Sequence, residues 1–241
     1  MPIEDLDQIS KMKATRSADE ADDRLRFIRK VLGIVAVQLY ITTAITLIPT
    51  LNPNAAVWIL ANKGWFWFAL ILMLTTNLAI ICAPNVAREV PTNYLLLLAF
   101  TAAESYLVAY TSSLYQPGSV LMAAFLAASV VLGLTIYALT TKRDFSLSGG
   151  SLFIFGIAIS ICSLVLLFVP DSPFWTVVYS GASVILFGFY LIYDVQIIVG
   201  GGRYEIDMDD YVIGALIIYM DIIMLFLHIL KLIGEKKKWY F

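Results

Sequence analysis

Charge is what this chain has least of. Asp, Glu, Lys and Arg make up 14% of its 241 residues against 60% hydrophobic residues, and the charges crowd into the first thirty positions and the loops. There is one histidine, His228, and the two cysteines, Cys82 and Cys162, lie inside or at the edge of apolar segments. That scarcity excludes a disulfide framework. No Asn-x-Ser/Thr sequon occurs, so N-glycosylation is not indicated. No internal repeat is visible, and nothing points to nucleic acid as a partner. A cleavable signal peptide is not expected either, because the N-terminus carries Glu4, Asp5, Lys11, Arg16, Asp22, Arg24 and more. The first apolar segment is expected to serve as the targeting signal.

What is present is apolar length. The mean hydropathy is +0.84, and uncharged runs near 31–51, 65–83, 94–115, 120–141, 149–169, 174–199 and 211–233 are each long enough to cross a bilayer as a helix. The separators carry breakers: "NPN" at 52–54, "APN" at 83–85, "QPG" at 116–118, "SLSGG" at 146–150, "PDSP" at 170–173 and "GGG" at 200–202. The expected fold is an all-α polytopic membrane protein with seven transmembrane helices. It comprises a charged segment 1–30, disordered or loosely helical, the membrane domain 31–234 and a short basic tail 235–241.

Basic residues before the first span, with Arg88, Lys142, Arg143 and Arg203, fall on one side and place the N-terminus in the cytoplasm. The tail "EKKKWY" violates that rule if the last segment crosses; re-entry of that segment would remove the violation. Seven crossings are the expectation. The aromatic cluster "WFWF" at 65–68 reads as an interfacial belt, and "IDMDDYV" at 206–212 as helix capping by Asp207 with an acidic first turn.

Three carboxylates lie inside the spans: Glu104 in "FTAAESYL", Asp194 in "LIYDVQ" and Asp221 in "IIYMDIIML". A charged side chain at the centre of a membrane helix costs on the order of 2.5–3.5 kcal/mol, so each must be protonated, paired or hydrated. At about 1.5 Å per residue, Asp221 lies near mid-membrane and Asp194 about 8 Å from the end of its helix. The two helices are consecutive and antiparallel, so the side chains can approach each other. Two close carboxyls in low dielectric cannot both ionise freely and lose protons in coupled steps. Such a pair is a proton sensor, and once deprotonated it offers hard oxygen ligands suited to transient Ca²⁺. Gly214, Ile218, Asp221, Leu225 and His228 share one stripe of the last helix. His228 reads as an interfacial or core histidine. Arg88, ahead of the third span, either pairs with Asp194 or is a positive-inside residue.

Other chemistries lack their parts. An intramembrane aspartyl protease carries its second Asp in a Gly-x-Gly-Asp turn followed by Pro-Ala-Leu, neither of which is here. "GGS" at 149–151 with His228 is a poor match to a rhomboid-like serine protease. A retinal protein needs a mid-helix lysine in the last span, where Lys231 is terminal. The expectation is a protein that is not an enzyme and has no cofactor.

The blocks "RFIRKVLGIVAVQLYITTAIT" (26–46), "VPTNYLLLLAFTAAES" (90–105), "LTIYALTTKRDFS" (134–146), "FGFYLIYDVQ" (187–196) and "DDYVIGALIIYMDIIMLFLHILKLIG" (209–234) resemble the Bax-inhibitor (transmembrane Bax inhibitor motif) family, in its lifeguard or Golgi anti-apoptotic branch. The resemblance implies a seven-helix fold with a central last helix, and a pH-sensitive Ca²⁺ leak in endoplasmic reticulum or Golgi membranes. It places the pH-sensing pair on Asp194 and Asp221 and a latch on Arg88; Glu104, by its place inside a span, is the candidate for an additional pathway carboxylate. Calcium is then the transported ion, and membrane lipid and apoptosis-regulating membrane proteins are the partners. A non-transporting adaptor that suppresses cell death is the alternative. Oligomeric state is not specified by the sequence.

Overall fold

A computed structural model of the chain describes residues 3–83, 88–166 and 172–237, with side chains from residue 18 onward. Residues 167–169 of the fifth expected span, parts of the breakers at 83–85 and 170–173, and the end of the basic tail lie outside the described residues. All the long elements are helices: α1 (Ile3–Leu51), α2 (Pro53–Ala61), α3 (Lys63–Cys82), α4 (Thr92–Ser113), α5 (Pro117–Thr140), α6 (Gly149–Leu166), α7 (Pro173–Val199) and α8 (Tyr211–Ile233). Seven of these stretches are long and apolar enough to cross a membrane.

The breakers act largely as expected. Pro117 and Pro173 open α5 and α7 at their first turns, where a missing N–H costs nothing. Gly200 closes α7 at a φ of 78°, a left-handed conformation that favours glycine. "NPN" does more than break. The Asn52 side chain accepts from the amides of Asn54 and Ala55, and Pro53 starts the additional nine-residue helix α2. The charged N-terminal segment is helical from Ile3 onward and runs into the first span without a break. Arg26 pairs with Asp22 and Asp23 one turn back, spacings that favour helix.

The last helix is the hub. α8 packs on α7, α5, α1 and α4, and Val212, Ala215, Leu216, Tyr219, Leu225 and Leu230 are almost wholly buried. Around it, Leu121, Phe125, Leu132, Phe153, Phe155 and Ile185 are exposed, as expected for side chains that face lipid rather than water. In lipid, apolar burial does not drive helices together, so close packing and internal hydrogen bonds must. Gly214 shows the first: a Cβ there would come within 3.3 Å of Val31 and 3.7 Å of Ile198. Helix α8 also runs unbroken to Ile233. Beyond it, the Gln116 amide donates to Glu235 O at 2.8 Å and the Lys237 amide to Leu114 O at 2.8 Å. The tail is therefore tied to the α4–α5 connection, at the opposite end of the bundle from the start of α1, and the last segment crosses rather than re-enters.

Candidate functional site

Helices α7 and α8 bring Asp194 and Asp221 together. Both are buried, with 7% and 5% of their surfaces exposed, and their carboxyls lie within hydrogen-bonding reach of one another. Among the described residues no donor reaches Asp221 Oδ2. Two facing acceptors attract only when one carries a proton, so the arrangement is one that a shared proton would stabilise.

The pair lines a crevice of about 540 Å³ between α3, α6, α7 and α8. Asn77 of α3 and Ser160 of α6 are polar groups on its walls, and Leu186, Phe187, Leu216 and Met220 supply apolar ones. Tyr190 borders it as well; its hydroxyl lies against Gly156, where no Cβ intrudes, and donates to Leu152 O at 2.8 Å. This bond ties α7 to α6 beside the pair. Among the described residues no three acidic, histidine or cysteine side chains gather into a metal cage. Two carboxyls and a few neutral oxygens suit a passing hard cation better than a resident one.

The turn of α7 that carries Asp194 is fixed from outside. Gln196, two residues on, accepts from the Phe145 amide at 2.7 Å and donates to Arg143 O at 3.0 Å and Ala138 O at 3.3 Å. The following loop is tied to the same region. The Asp144 carboxylate accepts from the Ser146 and Arg203 amides, and Ser146 Oγ accepts from the Tyr204 amide. Hydrogen bonding by the Ser146 side chain, then by the Arg203 amide, holds the Asp144 carboxyl below the usual carboxylate range.

Arg88 does not reach Asp194. It forks onto Asp210, Nε and Nη2 each donating at 2.7 Å, with Nη2 also 3.4 Å from Asp207. The reason is solvation: the Arg88 side chain is 42% exposed ahead of α4, whereas Asp194 is buried, where a guanidinium would lose its hydration. Hydrogen bonding and attraction from Asp210 hold the Arg88 guanidinium charged more firmly than usual. Asp207 precedes the short turn Met208–Asp210 but makes no side-chain cap there; its carboxylate is turned to Arg88 instead.

Glu104 is buried at 3% exposure and does not line the crevice that holds the pair. It lies beside Tyr219, which is two residues before Asp221 and so faces the other side of α8. There the Tyr219 hydroxyl is 2.8 Å from Thr42 Oγ1, which is 2.9 Å from Ser105 Oγ, while Gln38 Nε2 donates to Thr101 Oγ1 at 2.9 Å. His228 is a core histidine, buried between the rings of Tyr179 and Phe187. Gln196, Tyr190 and Asn77 are the residues that sequence reasoning missed. Gln196 alone had a local signal, as a polar residue in the apolar end of "YDVQIIV".

Comparison with known proteins gives one family. The family described as inhibitor of apoptosis-promoting Bax1 matches residues 24–238. The chain is 33% identical to Protein lifeguard 3 of Homo sapiens over 223 residues, 90% of this chain and 71% of that protein. It is 31% identical to Protein lifeguard 3 of Mus musculus, covering 90% and 72%. It is 28% identical to Bax inhibitor 1 of Schizosaccharomyces pombe, covering 88% and 77%.

Proposed function

This chain belongs to the Bax inhibitor family of integral membrane proteins, and from that premise we propose that it is a pH-sensitive calcium leak channel of an internal membrane, endoplasmic reticulum or Golgi, that modulates calcium stores and cell death. The observation that carries the reading is the buried contact of Asp194 with Asp221 in a crevice between α7 and α8. While the two share a proton the crevice is neutral and the helices stay together. When the proton leaves, two negative charges in low dielectric repel each other and attract a divalent cation to the same oxygens. With the N-terminus in the cytoplasm, Asp194 lies toward the cytoplasmic mouth. Arg88 then acts as a latch on the α7–α8 loop, through Asp210, rather than on Asp194 itself.

The test is calcium flux into liposomes that hold a calcium dye, measured across a pH series. Asp221→Asn and Asp194→Asn are expected to abolish the pH dependence; retention of the wild-type profile by Asp221→Asn refutes the sensing role. A second reading draws on the family's own description, which names an action on another protein. As a non-transporting adaptor that suppresses apoptosis, the protein would protect cells equally well with both aspartates replaced.

A further inference from the structure

The guanidinium of Arg24, on the extension of α1 ahead of its apolar part, directs its hydrogen bonds to three backbone carbonyls. Nη2 donates to Ile197 O at 2.7 Å, Nη1 to Ile206 O at 2.8 Å and Nε to Val199 O at 3.3 Å. Ile197 and Val199 belong to the last turn of α7, whose carbonyls have no helical N–H to accept from and form the negative end of the helix dipole. Ile206 lies on the far side of the loop, and its own amide donates back to Ile197 O at 3.0 Å. One planar fork therefore fastens the end of the Asp194 helix to the segment that leads into the Asp221 helix. Gly200 makes room for it: a Cβ at that position would lie 2.9 Å from Arg24 Nε and 2.6 Å from the Glu205 carboxylate.

We propose that Arg24 is a positioning residue for the carboxyl pair: it holds the last turn of α7, and with it Asp194, in the register that meets Asp221. This rests on the reading of the pair as a proton sensor. Arg24 touches neither carboxyl, so it acts through geometry. Asp194 is three residues before Ile197, one turn away on the same helix, so a shift of the clamped turn is passed along a rigid element to its carboxyl. A lysine offers one compact ammonium in place of a planar fork and cannot serve three carbonyls in this arrangement. The polar groups that line the crevice with the pair are Tyr190 of α7, Asn77 of α3 and Ser160 of α6, and the Tyr193 hydroxyl beside Asp194 in sequence lies against Gly149 instead. Those around Arg24 are Glu205 and the Phe27 ring.

The test uses the full chain reconstituted in lipid and two readouts that need no transport. The first is the infrared C=O band of the protonated carboxyl pair, assigned by its loss in Asp194→Asn and titrated with pH. The second is amide hydrogen exchange across residues 196–206. Arg24→Ala is expected to accelerate that exchange about tenfold or more and to displace the band's midpoint by about half a pH unit or more. Arg24→Lys is expected to behave like Arg24→Ala. Unchanged exchange, or an unmoved midpoint, overturns the proposal. Restoration of the wild-type midpoint by Arg24→Lys also overturns it, since charge alone would then suffice. Absence of pH-dependent flux in the wild type refutes the channel reading, while the band and the exchange still decide the role of Arg24.

Discussion

Arg88 grips Asp210 through two parallel 2.7 Å hydrogen bonds, joining the residues just before α4 to the threshold of α8. On the proposed reading of this ion pair as a latch its two sides act as a unit, so Arg88→Ala and Asp210→Asn are expected to raise the resting calcium leak by a similar few-fold factor. The double variant should leak no more than either single one. Because the pair is exposed, the difference from wild type should shrink as salt rises from about 0.05 to about 0.5 M. Additive effects, or effects indifferent to salt, in the flux assay refute the latch. The guanidinium, held more firmly charged by Asp210, stays protonated through the neutral range, so the latch is not expected to supply the pH dependence.

The spans and the pair were legible in the sequence for a physical reason. An uncharged run of about 20 residues has few alternatives to a membrane helix, and a carboxylate inside such a run demands a partner. The short loop between the last two helices narrowed the choice for Asp194 to Asp221. Arg88 was legible as an ion-pairing residue but its partner was not, because Asp207 and the acids after it read equally well as the cap and first turn of a helix. Arg24 and Gln196 bind backbone carbonyls and amides remote in sequence, and backbone groups are the same in every residue. No side-chain pattern announces such partners. Helix α2 was hidden because the Asn-Pro that ends one helix is also a good start for the next.

The hydroxyl network on the opposite face of α8 is expected to stabilise the fold without sensing pH. Tyr219 and Thr42 are almost wholly buried, and Thr42 Oγ1 meets both Tyr219 Oη and Ser105 Oγ. Tyr219→Phe should cost about 0.5–1.5 kcal/mol, and Thr42→Val more, because it removes two hydroxyl contacts instead of one. Thermal unfolding in detergent measures the loss. The pH midpoint of flux in both variants should match wild type, and a shift would connect this face to the gate.

Acid should loosen the α7–α8 loop at a defined place. The Asp144 carboxyl titrates below the usual carboxylate range because the ionised form is hydrogen-bonded. A depressed folded value means that its contribution is present above the unfolded pKa, about 3.9, and is lost as pH falls through the lower folded value. Protection of the Arg203 amide from hydrogen exchange is therefore expected to hold down to about pH 4 and to fade below it. In Asp144→Ala that amide should be unprotected at every pH. Equal protection in the variant would show that the loop is held by other bonds.

The tail offers the sharpest test of topology, because two tendencies disagree about it. Lys236 and Lys237 favour the side that holds the basic residues of the N-terminus, while the backbone pairs of Glu235 and Lys237 with the α4–α5 connection hold the tail at the opposite end. The hydrogen bonds are fixed by the path of α8, which cannot turn back without breaking its internal ladder in lipid; the charge preference is a bias spread over many loops. Geometry should win. In a background lacking Cys82 and Cys162, single cysteines at Asp19 and Lys236, both exposed positions, are expected to react with an impermeant thiol reagent from opposite sides of sealed vesicles. Reaction of both from the same side would mean that α8 does not cross, and the carboxyl pair would lose the second of its two spanning helices.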